Sequence, residues 1–313
     1  MIVGPTAVGK SQLALTLARA FGGEIVSADS RQIYRYMDVG TAKPTLDERQ
    51  FVCHHLIDVV NPDEEYTLAR FQADAYQAID STLAQGRLPL LVGGSGLYVR
   101  SVVDGLHIPR VEPNPVLRGE LEERVTREGG LALHADLTAL DPVAAGRIDP
   151  RNVRRVIRAL EVCLLTGNPI SQLQRASPPP YDMLTVGLTT DRDALYRRID
   201  ERVDLQIGCG LVEENRRLVA MGYSYLLPAM SGLGYRQIGT YLRGEVDLSR
   251  AVEILKYETH RFARQQYAWF RPGDQRIAWL RTEPGFADVA SDLVDAFLRR
   301  YGSLRRAPAG AAL

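Results

Sequence analysis

Several things are scarce in this chain, and each scarcity excludes something. Three cysteines, Cys53, Cys163 and Cys209, stand singly in 313 residues. They offer neither a disulfide framework nor a zinc site, and they fit a reducing cytoplasm. No apolar run approaches the roughly 20 residues of a membrane span, so no membrane partner is expected. The start, MIVGPTAVGK, lacks the basic segment and long apolar stretch of a signal peptide. Net charge is zero, with 38 basic and 38 acidic residues, so bulk charge gives no argument for nucleic acid. Hydrophobic content of 45% and charged content of 24% are those of a soluble globular protein. The length allows a large core and two lobes.

What is present begins at the N-terminus. Gly4-Pro5-Thr6-Ala7-Val8-Gly9-Lys10-Ser11 has the spacing of a phosphate-binding loop. An apolar stub precedes it and a helical pattern follows (Leu13, Leu15, Leu17, Ala18), the context the motif requires. Gly4 and Gly9 let the backbone curl so that N–H groups face phosphate oxygens, and the helix N-terminus adds partial positive charge. Lys10 supplies a full charge, and the Ser11 hydroxyl suits Mg²⁺. The first strand has room for only about three residues, which leaves the natural start open.

Short buried strands are expected at 24–29, 88–92, 183–189 and 276–280. Helices are expected at 66–84, within 192–221, at 248–270 and at 286–300. This alternation predicts an α/β fold, a P-loop NTPase-like parallel sheet flanked by helices. Prolines at 109, 113 and 115 and the run 178–180 bracket a strandless stretch. It reads as an all-helical insertion, 110–180, in a core formed by 1–109 and 181–304. A disordered tail, 305–313, is expected to follow.

Ligands in such a sheet sit at the C-terminal strand ends. Asp29-Ser30-Arg31-Gln32 falls there, with Asp29 either across a crevice from the loop or capping a helix. Gly93-Gly94-Ser95-Gly96 ends another strand where a nucleotide hydrolase would carry a magnesium-binding Asp. Its glycines suggest a backbone-lined pocket that something large approaches closely. Lys43, in Gly40-Thr41-Ala42-Lys43-Pro44, either faces an anion or is solvated. His54 and His55 are adjacent on an extended segment and point to opposite faces, so they do not readily share a metal. Arg151, Arg154, Arg155 and Arg158 recur at helical spacing opposite Val153, Ile157, Leu160 and Leu164. Such a face either contacts a phosphate backbone or is merely solvated.

Together these motifs resemble the tRNA dimethylallyltransferase family, the bacterial adenosine isopentenyltransferases. The resemblance rests on GPTAVGKS (4–11), SADSRQIY (27–34), DVGTAKP (38–44), HHLIDVVNPDEEYTLARFQADA (54–75) and VGGSGLY (92–98). It continues through DPVAAGRIDPRNVRRVIRALEVCLLTG (141–167), LGYRQ (233–237) and ARQQYAWFR (263–271). It implies Mg²⁺-dependent transfer of a dimethylallyl group from dimethylallyl diphosphate to N6 of the adenine 3′ of the anticodon, in tRNAs reading codons that begin with U. The product is N6-isopentenyladenosine. The enzyme is expected to be cytoplasmic and monomeric.

By this resemblance the loop 4–11 grips the diphosphate, Asp29 is the general base, Thr6 touches the bridging oxygen and Arg216 is the diphosphate arginine, with Arg217 one register away. Asp29, Ser30, Arg31, Gln32, Ser95, Arg154, Arg155, Val156, Ile157, Arg158, Arg264 and Arg271 match tRNA-contacting segments. The insertion becomes the tRNA-binding lobe. Arg154 stands where some members carry Gln, Gln265 where an Arg is often found, and no eukaryotic-type zinc finger is present. Rival classes are a small-molecule P-loop kinase, an isopentenyltransferase acting on free AMP or ADP, and a non-catalytic RNA-binding protein. The kinase would need a strand-end carboxylate and a lid arginine cluster. A mononucleotide enzyme needs no second lobe. Intact Lys10, Ser11 and Asp29 argue against a purely binding role.

Overall fold

The computed structural model describes residues 1–109 and 111–301. The tail expected to be disordered, 305–313, lies outside them. The chain forms two compact units, one from Met1–Val99 with the chain from Pro180 onward, the other from Arg100–Pro179.

The first unit is built on β1 (Ile2–Val3), β2 (Gly23–Ser27), β3 (His54–His55), β4 (Leu88–Gly93), β5 (Val186–Thr189) and β6 (Ala278–Arg281). They form one parallel sheet in the order β3-β2-β4-β1-β5-β6. Parallel sheets are covered on both faces, so their strands are apolar throughout. Ile2 is in register with both Val92 and Val186, which makes the two-residue β1 the centre of the sheet. Around the sheet lie α1 (Lys10–Phe21), α2 (Leu46–Phe51), α3 (Leu68–Ala84), the start of α4 (Gly96–Val103) and the C-terminal helices introduced below. Leu13, Leu17 and Ala18 of α1 join Ile2, Ile25, Leu90, Val92 and Leu188 in the main core. Gly22 ends α1 in the left-handed region at φ 60°, where a side chain would be strained.

The second unit holds α5 (Pro115–Glu128), α6 (Gly130–Leu140), α7 (Pro142–Ala145), α8 (Val153–Thr166) and α9 (Ile170–Leu173). Asn114, Asp141 and Asn152 accept from backbone N–H groups at the starts of α5, α7 and α8, as good N-caps do. Leu121, Leu133, Leu137, Val156, Ile157 and Leu160 form its core. The fully buried Glu161 is neutralised by Arg118, at 2.8 Å to each carboxylate oxygen, and by Arg158. This unit begins at Arg100 and not at 110. Leu106 bridges Ala176, and the His107 N–H donates to the Arg175 carbonyl. Pro109 and Pro113 therefore lie in a loop within the unit and not at its edge, and Pro115 opens α5.

The chain then continues through α10 (Arg192–Gly208), α11 (Leu211–Ala220), a 3-10 turn (Ala229–Ser231), α12 (Tyr235–Leu242), α13 (Leu248–Trp269) and α14 (Phe286–Tyr301). Of these, α10, α12 and α13 bear directly on the site.

Candidate active site

The loop at 4–11 forms as its glycines require. Gly4 has φ 143°, and a Cβ there would lie 2.5 Å from the Leu188 carbonyl oxygen of β5. Gly9 has φ 102° and caps α1. Pro5 and Val8 are buried, so their side chains anchor the loop and do not face a ligand. The first-turn N–H groups of α1 have no intrahelical partner by geometry. Lys10 Nζ donates to the Pro5 carbonyl at 2.6 Å, folded across its own loop. Burial, reinforced by repulsion from Arg202 and opposed by Asp29, pushes the Lys10 ammonium down to about 7. Ser11 is exposed, and its hydroxyl makes no hydrogen bond among the described residues. A free hard oxygen on a phosphate-binding loop fits Mg²⁺.

At the C-terminal strand ends a cavity of about 590 Å³ opens, lined by Thr6, Asp29, Ser30, Thr41, Ser95 and Arg202 among its polar groups. Leu97, Ile199, Val203, Leu233, Phe262 and Trp269 supply apolar wall. Asp29 caps no helix. Its Oδ1 accepts from the Arg31 N–H at 2.8 Å in a local turn, and Oδ2 accepts no hydrogen bond among the described residues. Ser95 Oγ accepts from the Ser30 N–H at 3.1 Å, tying the 93–96 turn to this segment. Arg31 lines the cavity but is held by the carbonyls of Pro228 and Ala229. Gln32 is taken up internally, between the Ser27 hydroxyl and the carbonyls of Thr41 and Ala42, and does not line the cavity.

Next to these residues, the backbone at 38–40 wraps one carboxylate. Buried Glu214 accepts from the N–H groups of Asp38 (2.8 Å), Val39 (2.8 Å) and Gly40 (3.0 Å) and from the Tyr235 hydroxyl (2.7 Å). Lys43 is neither solvated nor facing an open site. Its ammonium is buried against Asp38, Asp58 and the Tyr34 carbonyl.

The glycine turn at 93–96 is crowded by the protein itself. A Cβ on Gly93 would lie 2.2 Å from the Ala28 carbonyl oxygen, one on Gly94 2.2 Å from Gln266 Nε2, and one on Gly96 2.1 Å from the Trp269 ring. The large object expected to approach closely is α13.

The arginine that reaches Thr6 is not Arg216. Arg216 is exposed on α11, 3.4 Å from Glu213, and is absent from the cavity wall. Arg217 is exposed too and donates to the Tyr36 carbonyl. The guanidinium at the site is Arg202 of α10, whose Nη1 lies 3.4 Å from Thr6 Oγ1. Burial lowers its pKa below the usual guanidinium value, with Asp29 opposing. Leu195, Ile199, Arg202 and Gln206 stand at i, i+4, i+7 and i+11, so Arg202 occupies a position on the inward stripe of α10. A cation on an apolar stripe was the available signal.

Other expected contacts divide by helical geometry. Val156 and Ile157 are core residues of the second unit. Arg158 is committed to Glu161 and the Val111 carbonyl, and Arg151 to Asp149. The guanidinium groups of Arg154 and Arg155 are exposed and have no partner among the described residues. Leu164, expected on the packed stripe, is 52% exposed. Arg264 is exposed and bonded to the Tyr196 hydroxyl, and Arg271 is exposed beyond α13. Neither lines the cavity, whereas Arg261 and Gln265 do. His54 turns to the Val52 carbonyl and His55 to Glu24. The donor atoms of Glu24, Cys53 and His55 lie within 4.8 Å of one another, but Arg87 and Thr82 already hold the carboxylate.

The family model described as IPP transferase matches residues 32–273, and one described as isopentenyl transferase matches 1–58. The chain belongs to the IPP transferase family. It is 56% identical over 299 residues to a tRNA dimethylallyltransferase of Roseiflexus castenholzii, covering 96% of each chain. It is 52% identical to one of Thermomicrobium roseum, covering 95% of this chain and 91% of the relative. Among solved structures, the tRNA isopentenylpyrophosphate transferase of Bacillus halodurans superposes with a TM-score of 0.68 at 38% identity, covering 96% of this chain and 98% of that one. A eukaryotic dimethylallyltransferase acting on tRNA gives a TM-score of 0.80 at 25% identity, over 98% of this chain and 81% of that one. These relatives support the P-loop reading of the sheet and favour a transferase over the small-molecule kinase.

Proposed function

We propose that this IPP transferase family member transfers a dimethylallyl group from dimethylallyl diphosphate to N6 of the adenine 3′ of the anticodon, in tRNAs reading codons that begin with U. The observation that carries the reading is one cavity holding Thr6 of the phosphate loop, the inward Arg202 and the half-free carboxylate of Asp29. An exocyclic adenine amine is a weak nucleophile, so a base must accept its proton as the C–N bond forms. Asp29 has a carboxylate oxygen available for that proton. As the allylic C–O bond breaks, its electron pair leaves with diphosphate. Lys10 and Arg202 neutralise the growing charge and the Thr6 hydroxyl donates a hydrogen bond to it, the largest kind of electrostatic contribution an active site makes. The Ser11 hydroxyl would hold Mg²⁺, which would add charge neutralisation there.

The adenine must leave its loop to reach so recessed a carboxylate. The apolar wall formed by Leu233, Phe262 and Trp269 suits the prenyl chain. Arg154 and Arg155 are the two guanidinium groups of the 151–158 run left to meet a tRNA backbone. No helix of the described residues is long and apolar enough to cross a membrane, and a monomeric cytoplasmic enzyme fits the reading. Incubation with labelled dimethylallyl diphosphate and unmodified tRNA, followed by nucleoside analysis, tests it. Labelled N6-isopentenyladenosine is expected, and label left wholly in the donor would reject it.

A further inference from the structure

One buried side chain joins the phosphate loop to the glycine turn. Gln266 of α13 is 4% exposed. Its Oε1 accepts from the Thr6 N–H at 2.7 Å, and its Nε2 donates to the Gly94 carbonyl at 2.9 Å. The reverse amide orientation would set donor against donor and oxygen against oxygen, so both contacts fix a single one. Gly94 is a glycine because this amide fills the space where its Cβ would stand. Beyond Gly94, Ser95 holds the Ser30 N–H, next to Asp29. A chain of short contacts thus runs from Thr6, across Gln266, to the segment carrying Asp29, bridging 260 residues of sequence at its first step.

We propose that Gln266 is a positioning residue that sets the Thr6 hydroxyl at the leaving group in register with the Asp29 carboxylate at the acceptor. The inference rests on the reaction proposed above. Both partners of the amide are backbone groups, so it neither adds nor removes charge at the diphosphate. Its loss should spare ground-state binding and damage alignment. A misplacement of about 1 Å at such a site costs roughly 10²-fold in rate.

The test compares wild type, Gln266→Met and Gly94→Ala in single-turnover transfer with both substrates saturating. Binding of tRNA and of inorganic pyrophosphate, and thermal melting, are measured in parallel. Rates about 10²-fold below wild type are expected in both variants, with both dissociation constants within about threefold. Gly94→Ala acts by displacing the amide, so in a Gln266→Ala background it should cost almost nothing more. A Gln266→Met rate within about threefold of wild type would overturn the inference, as would additive effects or binding that falls in step with rate. Loss of the fold in both variants would also overturn it, making the amide a structural pin only. The exchange of the Thr6 amide proton, followed by NMR in selectively labelled protein, reads the hydrogen bond without any turnover. Protection in wild type and its loss in Gln266→Met are expected, and equal exchange would sink the idea. An inactive wild type with a protected Thr6 amide would instead reject the proposed reaction.

Discussion

Helices α8 and α10 both carry arginines beside an apolar stripe, and they use them in opposite ways. On α8 the stripe is Val156, Ile157 and Leu160, and Arg154 and Arg155 point away from it into solvent. On α10 the stripe is Leu195, Ile199 and Val203, and Arg202 falls within it. The first arrangement leaves an exposed, hydrated charge that can meet any phosphate and is screened by salt. The second holds a poorly solvated charge against Thr6 and near Lys10, where under the proposed function it meets one developing charge. Under the proposed function α8 serves affinity and α10 serves rate, and substitutions on either helix test the division.

The largest effect is expected at Asp29, whose charge acts on both Lys10 and Arg202. Asp29→Asn keeps the turn to Arg31 but cannot accept a proton, so single-turnover transfer should fall by about 10²–10⁴, with donor and tRNA affinity little changed. A rate within a few-fold of wild type would remove Asp29 from the proton transfer. Arg202→Gln should cost about 10²–10³ in the same assay, again with tRNA binding preserved. Weakened tRNA binding with normal transfer would erase the distinction between α10 and α8.

Replacing Arg154 and Arg155 by Ala should do the reverse. Saturated transfer should be normal, tRNA binding weaker, and the log–log salt slope shallower by roughly 0.7–0.9 for each phosphate that goes unneutralised. An unchanged slope would make this face merely solvated.

Lys10 gives a smaller, titratable effect. Its folded pKa of about 7 lies below its ordinary 10.5. The unfolded chain therefore binds more protons between those values, and the stability of the free protein should rise with pH across that window. Bound diphosphate restores the charged form. Pyrophosphate binding near pH 8 should then take up more protons in wild type than in Lys10→Met, measured by calorimetry in buffers of different ionisation enthalpy. Equal uptake would mean that Lys10 is already charged in the free enzyme. The smallest effect is expected for Arg216→Ala: exposed and, among the described residues, paired only with Glu213, it should change neither rate nor affinity by more than about twofold, and a large loss in transfer would return it to the site.

Local signals carried much of this structure. The loop at 4–11, the apolar runs that became β2, β4 and β5, and the helices at 68–84 and 248–269 follow from patterns a few residues long. Asp29 was legible from its place after a strand, since strand ends gather ligands in a parallel sheet. Signals spread over long separations were not. Arg216 and Arg202 are both helical arginines beside acidic residues, and only the inward spacing from Leu195 to Gln206 separates them. Gly93 to Gly96 announced a close approach, but the identity of the approaching group depended on where α13 packs.

The sequence by itself determined the parallel α/β core, the phosphate loop, the carboxylate at Asp29 and the strandless helical segment. Each rests on hydrogen bonding or hydrophobic periodicity within a turn or a strand. Tertiary structure alone decided which arginine meets Thr6, that Gln32 and Lys43 turn inward, that Arg118 serves Glu161, and that Gln266 joins the loop to the turn. Those choices depend on which side chain wins a shared buried space. That competition is settled by packing among segments far apart in sequence, where an unpaired polar group costs too much to leave in place.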